Sequence, residues 1–153
     1  MSADAKLQTM KFEGWRDKPY KDSVGVPTIG WGFNLTDPVV ASLIPEDVKQ
    51  GKRALSQAEA LPIFNKLYSR AEQTARDYIG DKFDKLPEQI KDVVIDMSYN
   101  MGDRINQFGD MKRAILSGDT QEIGFAMRDS KWFKQVGNRS KQHFATVTAL
   151  ENY

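Results

Sequence analysis

The sequence has no cysteine, a single histidine and no long apolar run, and each shortage excludes a class of function. Without cysteine there is no disulfide framework and no thiol nucleophile. One histidine, His143, argues against a histidine-built metal site and against a Ser–His–Asp triad. No apolar stretch reaches the roughly 18 residues that a membrane-spanning helix needs. We therefore expect no metal, no cofactor and no membrane partner.

The sequence also has almost no excess of one charge over the other. The 22 Lys and Arg residues nearly balance the 21 Asp and Glu residues, which leaves a net charge of +1. Nucleic-acid-binding surfaces need an excess of Lys and Arg, so no nucleic-acid partner is expected. The first nine residues include Asp4 and Lys6 and lack an apolar core, so they do not read as a secretory signal.

Glycine and proline divide the first third of the chain. The apolar spacing of residues 3–12 predicts a short opening helix. Residues 14–33 alternate glycine and proline with short β-favouring pieces, which predicts a small antiparallel sheet. Because proline interrupts these pieces, a central buried strand is not expected. A loop with Pro38 and Pro45 follows.

A long helix is predicted next. Ser56 and Glu59 have the spacing of a capping box, and the run 58–79 places apolar residues on one stripe over roughly six turns. Pro62 predicts either a bend or a helix that begins properly at about Leu61. Gly80 is a suitable C-terminal stop.

The rest of the chain, after Gly80, is predicted to be helical. Pro87 fits a first helical position, Gly102 ends that helix, and further helices are predicted at about 106–116, 120–129 and 138–150. The fold class is α+β within a single domain spanning 1–153. Its parts are a small N-terminal lobe with the sheet (13–56), a linking helix (57–79), and a helical lobe (80–153 with 1–12).

Three residues near the sheet carry potential chemistry. Glu13 ends the opening helix, Asp22 follows on a hairpin, and Thr28 lies on the returning strand. Glycoside hydrolysis needs two carboxylates, one protonated to supply a proton and one ionised to hold or activate water. The alternative is that Glu13 only caps or solvates and that Asp22 is only a turn residue.

This stretch resembles the phage-type lysozymes (glycoside hydrolase family 24), whose signature is E-G-x-R-x-x-x-Y-x-D-x-x-G-x-x-T-I-G-x-G. All ten fixed positions are filled, by Glu13, Gly14, Arg16, Tyr20, Asp22, Gly25, Thr28, Ile29, Gly30 and Gly32. The resemblance continues at 58–65, at 98–102, and at the W-x(5)-N-R element of Trp132 and Arg139, and so covers nearly the whole chain. It implies a lysozyme-like fold.

The resemblance also implies roles for individual residues. Glu13 corresponds to the general acid that protonates the β-1,4 bond between N-acetylmuramic acid and N-acetylglucosamine. Asp22 and Thr28 correspond to the groups that hold the attacking water, which would make the enzyme an inverting peptidoglycan hydrolase. Arg139 corresponds to an arginine that pairs with the acid from the other lobe. The other cleft-lining, substrate-binding positions correspond to Asn34, Tyr99 and Asn100.

Four other positions have their own expectations. Relatives often place a histidine where this chain has Phe33, paired with an acid where it has Leu67. An apolar contact replacing an ion pair is expected between them. Trp132 is expected in the core, and His143 at the surface or rim.

The expected partner is the peptidoglycan substrate, and the chain is expected to be a monomer. A phage endolysin would stay in the cytoplasm of the infected host cell until released to the wall; a toxin, effector or defence enzyme remains an alternative role. Two other activities stay open: an inactive wall-binding module, and a lytic transglycosylase, which would not need Asp22. At +1, the chain has little electrostatic attraction to an anionic wall.

Overall fold

The computed structural model describes residues 3–153, which form two compact units, Ala3–Ser69 and Arg70–Tyr153. Within residues 3–153, the sheet belongs to the first unit and the second unit is helical, so the predicted α+β class is confirmed. The opening helix belongs to the same compact unit as the sheet, although residues 1–12 were predicted to belong to the helical lobe. The single-domain organisation remains a prediction.

The elements follow the order helix, sheet, helices. The strands are β1 Arg16–Lys21, β2 Pro27–Gly30 and β3 Phe33–Asn34. The helices are α1 Ala3–Glu13, α2 Pro38–Leu43, α3 Glu46–Lys49, α4 Gln57–Ile79, α5 Glu88–Met101, α6 Gly109–Ser117, α7 Thr120–Arg128, α8 Lys131–Gln135 and α9 Asn138–Thr148. Short 3₁₀ segments cover Phe83–Lys85 and Gly102–Gln107. No helix within residues 3–153 is long and apolar enough to cross a membrane.

The sheet is antiparallel with the order β1-β2-β3, so β2 is a central strand. Its residues 28–30 are buried. The expectation that proline excludes a central buried strand was therefore wrong. The reason is position: Pro27 is the first residue of β2, where a missing N–H does not interrupt the ladder, and its carbonyl still accepts from Leu35.

The predicted loop after the sheet contains two short helices, α2 and α3, which is a second correction. A proline of that segment stands at the start of each helix. Asp37 caps α2 by accepting a hydrogen bond from the Val39 amide at 3.0 Å, and Pro38 occupies the first turn. Pro45 precedes α3 as its N-cap. Proline at a helix start lacks only an N–H that would have no helical partner.

The long helix α4 begins at Gln57, so the alternative start at Leu61 was wrong. The capping box is confirmed, because the Glu59 amide donates to Ser56 Oγ at 3.0 Å and the Ser56 amide donates to Glu59 Oε1 at 3.1 Å. Pro62 lies inside the helix and is exposed. The helix ends as predicted at Gly80, whose φ is 88°.

An aromatic cluster joins the elements of the first unit. The rings of Trp15 and Trp31 lie 4.7 Å apart, Trp31 meets Phe64 of α4 edge-on at 5.8 Å, and Phe64 stacks on Tyr68 at 5.6 Å. The Lys6 ammonium of α1 lies 5.7 Å from the centre of the Tyr68 ring. Such contacts add to apolar burial. The cluster therefore fixes α1 and the sheet against α4.

Phe33 and Leu67 are buried, at 0% and 6% exposure, so their inward orientation is confirmed while their mutual contact remains a prediction. We expect Leu67→Ala to lower the free energy of unfolding by about 2–5 kcal/mol, because it leaves a cavity. Leu61→Ala is the matched control, since Leu61 is on the same helix and 45% exposed. Equal losses for both variants in denaturant titrations would contradict the assigned packing.

The second unit is built on α5, whose buried face is largely apolar. Pro87 is the N-cap rather than the first helical residue, and Gly102 ends the helix at φ 58° as predicted. In the turn between α6 and α7, Gly118 is left-handed and Asp119 caps α7. The helix α8 was not predicted.

Candidate active site

Glu13 is held by a turn and by close approach of the backbone. It is the last residue of α1, and Gly14 leaves the helix at φ 75° while its amide donates to the Met10 carbonyl at 2.9 Å. A Cβ added to Gly32, itself at φ 72°, would collide with Glu13 Oε1 and lie 2.7 Å from its Cδ. The carboxyl group thus lies directly against the Gly32 backbone, which accounts for glycine at that position.

Asp22 organises the hairpin between β1 and β2. Its Oδ1 accepts hydrogen bonds from the amides of Val24 at 3.0 Å and Val26 at 2.9 Å. Its own amide donates to the Val26 carbonyl, and its carbonyl accepts from Gly25, both at 3.0 Å. Asp22 therefore does act as a turn residue, through the single carboxylate oxygen Oδ1. Because Oδ1 makes both side-chain bonds, Oδ2 can accept from another donor.

Thr28 is buried on β2, and its hydroxyl donates to the Val26 carbonyl at 2.8 Å. With its proton used there, Oγ1 can act only as an acceptor towards any further group. Thr28 is paired across the sheet with Tyr20 on β1 and with Asn34 on β3. Directly paired residues project to the same face, so these three side chains form one row.

Asn34, at the end of that row, is exposed and locally anchored. Its Oδ1 accepts from the Thr36 amide at 2.8 Å and from the Thr36 hydroxyl at 2.6 Å. Those bonds occupy the amide oxygen and leave the amide nitrogen as a donor.

The pKa of Tyr20 is affected by burial and by the charges around the hairpin. Burial raises the pKa of its phenol, the negative charge of Glu13 raises it further, and Asp22 adds to the rise against the lowering effect of Arg16. The Arg16 guanidinium lies 4.4 Å from the ring centre. The phenol of Tyr20 therefore stays neutral at physiological pH.

In the second unit, Asn100 is fixed by Trp132. The indole Nε1 donates to Asn100 Oδ1 at 2.8 Å, and Trp132 is buried, which confirms its predicted core position. Tyr99, the neighbouring predicted substrate residue, is half-buried.

Arg139 is buried and bound by Asp96, a residue that was not predicted to belong to the site. Its Nε and Nη2 donate to Asp96 Oδ2 and Oδ1 at 2.8 and 2.9 Å. His143, expected at the surface or rim, is buried instead, so that expectation was wrong. Its Nε2 lies 2.5 Å from Asp96 Oδ2, and its ring is nearly parallel to that of Trp132 at 6.3 Å.

The three residues of this cluster compensate one another. Burial raises the pKa of the Asp96 carboxyl, but the hydrogen bonds of His143 and Arg139 and the Arg139 charge outweigh it, and the pKa lies below its ordinary value. One sequence signal could have indicated the cluster. Asp96 interrupts an apolar run of α5, while Arg139 and His143 are four residues apart on α9 and so share a face.

The structure thus places the predicted residues in two sets. Glu13, Asp22, Thr28 and Asn34 belong to the first unit, and Tyr99, Asn100 and Arg139 to the second. The pairing of Arg139 with Glu13 and all the assigned roles remain predictions.

Comparison with known proteins also points to the phage-type lysozymes. A family model described as phage lysozyme matches residues 10–146. The chain is also similar to the pre-baseplate central spike protein Gp5 of Enterobacteria phage T4, with 24% identity over 156 residues. That similarity covers 92% of this chain but only 27% of the relative's length.

Proposed function

The chain belongs to the phage lysozyme family, and we propose that it is a muramidase acting by an inverting mechanism. Its substrate is bacterial peptidoglycan, and the bond cleaved is the β-1,4 link between N-acetylmuramic acid and N-acetylglucosamine. The observation that carries the mechanism is the hydrogen bonding of Asp22 and Thr28, which leaves each of them an acceptor oxygen on the same hairpin.

Glu13 is the general acid. A protonated carboxyl delivers its proton to the glycosidic oxygen as the bond from that oxygen to the anomeric carbon breaks. Its contact with the Gly32 backbone restricts where the carboxyl can lie, which is the requirement for a proton donor aimed at one oxygen. The proton leaves with the N-acetylglucosamine product, and Glu13 becomes a carboxylate.

Asp22 and Thr28 hold the attacking water. A water molecule has two protons, and each of these side chains supplies an acceptor, Asp22 Oδ2 and Thr28 Oγ1. If both protons are engaged, the lone pairs of the water oxygen are left for the anomeric carbon. As the new carbon–oxygen bond forms, Asp22 takes up one of those protons.

The predicted substrate residues fit a polymer rich in acetamide groups. Asn34 and Asn100 both have their amide oxygens occupied inside the protein, by Thr36 and by Trp132. Each therefore offers an amide N–H, which suits the carbonyl of an N-acetyl group or a sugar hydroxyl. Tyr99 would supply an apolar surface with a hydroxyl at its edge.

The test is the mass of the products released from purified peptidoglycan. A muramidase gives fragments that end in a reducing N-acetylmuramic acid, because water is added across the bond. Fragments lighter by one water, with an anhydro ring, would instead show a lytic transglycosylase. Binding to the wall without any fragment would show an inactive binding module, and either result would overturn the proposal.

A further inference from the structure

The cluster of Asp96, Arg139 and His143 has no part in the proton and water steps above. We propose that Asp96 and His143 are positioning residues, which hold the Arg139 guanidinium in one orientation for the glycan substrate. The inference rests on the proposed function, since it assumes that Arg139 serves the substrate site. It depends only on contacts within the second unit.

The bonds to Asp96 fix the plane of the guanidinium. Two parallel bonds, from Nε at 2.8 Å and Nη2 at 2.9 Å, are made to the two oxygens of one carboxylate. A bidentate pair of this kind removes rotation of the guanidinium group and is stronger than a single neutral hydrogen bond. The same pair sets the direction in which the rest of the guanidinium group points. An arginine held in this way does not need to be ordered when substrate arrives.

His143 fixes the carboxylate in turn. Asp96 is ionised and can only accept, so His143 must donate from Nε2 to Oδ2, the oxygen that also accepts from Arg139 Nε. The nearly parallel packing of the imidazole on Trp132 restricts the ring from one side. Arg139, His143 and Asp96 are each at least 93% buried, so water does not compete strongly for these bonds.

A purely structural role for the same cluster is the alternative to exclude. Buried ion pairs contribute little net stability compared with apolar packing, so stability alone is a weak reason for three polar residues here. A positioning role predicts that changing His143 lowers kcat/KM of the folded protein only while Arg139 is present. A structural role predicts a lower melting temperature without that dependence of kcat/KM on Arg139.

The experiment measures kcat/KM on a soluble peptidoglycan fragment for two matched variants. His143→Phe keeps a planar ring against Trp132 and removes the donor; His143→Gln removes the ring and keeps an N–H. We expect kcat/KM to fall roughly tenfold or more for His143→Phe and to stay within about threefold of the unmodified protein for His143→Gln. Melting temperatures check that both variants fold.

The decisive comparison repeats His143→Phe in an Arg139→Gln background. If His143 acts through Arg139, the second change lowers kcat/KM no further. The same roughly tenfold fall with and without Arg139, or full activity of folded His143→Phe, would overturn the positioning role while leaving the hydrolase assignment intact. An unmodified protein that cleaves no peptidoglycan would overturn the assignment itself.

Nitrogen NMR of the unmodified protein tests the geometry even if His143→Phe does not fold. The sequence has a single histidine, so its ring signals need no separation from others. We expect a proton on His143 Nε2, and an Arg139 Nε–H that exchanges slowly with solvent. A ring without a proton on Nε2, or a rapidly exchanging Arg139 Nε–H, would contradict the proposal.

Discussion

Glu13→Gln is expected to keep the fold and to lose roughly 10²–10⁴-fold in the rate of peptidoglycan cleavage, equivalent to about 3–5 kcal/mol of transition-state stabilisation. Glutamine has nearly the shape of glutamic acid, so it can occupy the same space against the Gly32 backbone. It has no acidic proton to give to the glycosidic oxygen. The rate of turbidity loss of a cell-wall suspension measures the effect, with the melting temperature recorded for each variant.

Asp17→Asn is the control for this change. Asp17 is an exposed carboxylate on β1, near Glu13 in sequence but without an assigned role, and its replacement also exchanges an acid for an isosteric amide. We expect that variant to cleave at close to the unmodified rate. A folded Glu13→Gln protein that retained more than about a tenth of the activity would contradict the assignment of the acid.

Thr28→Val is expected to lose about tenfold to a hundredfold in activity, since it removes the acceptor that holds one proton of the attacking water. Valine preserves the branched shape of threonine, so the buried position on β2 remains filled. The change also leaves the Val26 carbonyl without the Thr28 hydroxyl, which costs on the order of 1 kcal/mol of stability. The fraction of activity that is lost should therefore far exceed the fraction of the protein that is unfolded.

Thr28→Ser separates the hydroxyl from the methyl group. It keeps the donor to Val26 and the acceptor for water, and we expect most of the activity to remain. Initial rates on the same substrate, at a temperature well below the unfolding transition of every variant, give the comparison. Equal activity of the valine and serine variants would show that Oγ1 does not hold the water.

Much of the fold follows from local patterns. The Ser56 and Glu59 capping box fixed the start of α4, and the apolar stripe and Gly80 fixed its course and end. Other local signals are misleading. Pro27 lies inside a β-favouring piece and so predicts an edge strand, but it is the first residue of β2, where a proline is tolerated. Helices as short as α3 carry too few apolar positions for a periodicity to show.

The residues of the site likewise divide into those that local spacing predicts and those that it does not. The signature spacing placed Glu13, Asp22 and Thr28 on the helix end and hairpin where they are found, because all three lie within sixteen residues of chain. The partner of Arg139 could not be predicted from local spacing, since Asp96 is 43 residues away on another helix. Such a pair forms only when α5 and α9 pack. The burial of His143 could not be predicted for the same reason, because its partner Asp96 is 47 residues away on another helix.

The anomer of the first-formed product tests the proposed mechanism most directly. Proton NMR of a soluble peptidoglycan fragment, recorded before mutarotation, distinguishes the two configurations of the new reducing end. Attack by a water that Asp22 and Thr28 hold on the face opposite the leaving group gives the α-anomer from the β-linked glycan. A β-anomer would mean that a covalent intermediate or attack from the other face replaces the inverting mechanism, and would contradict it.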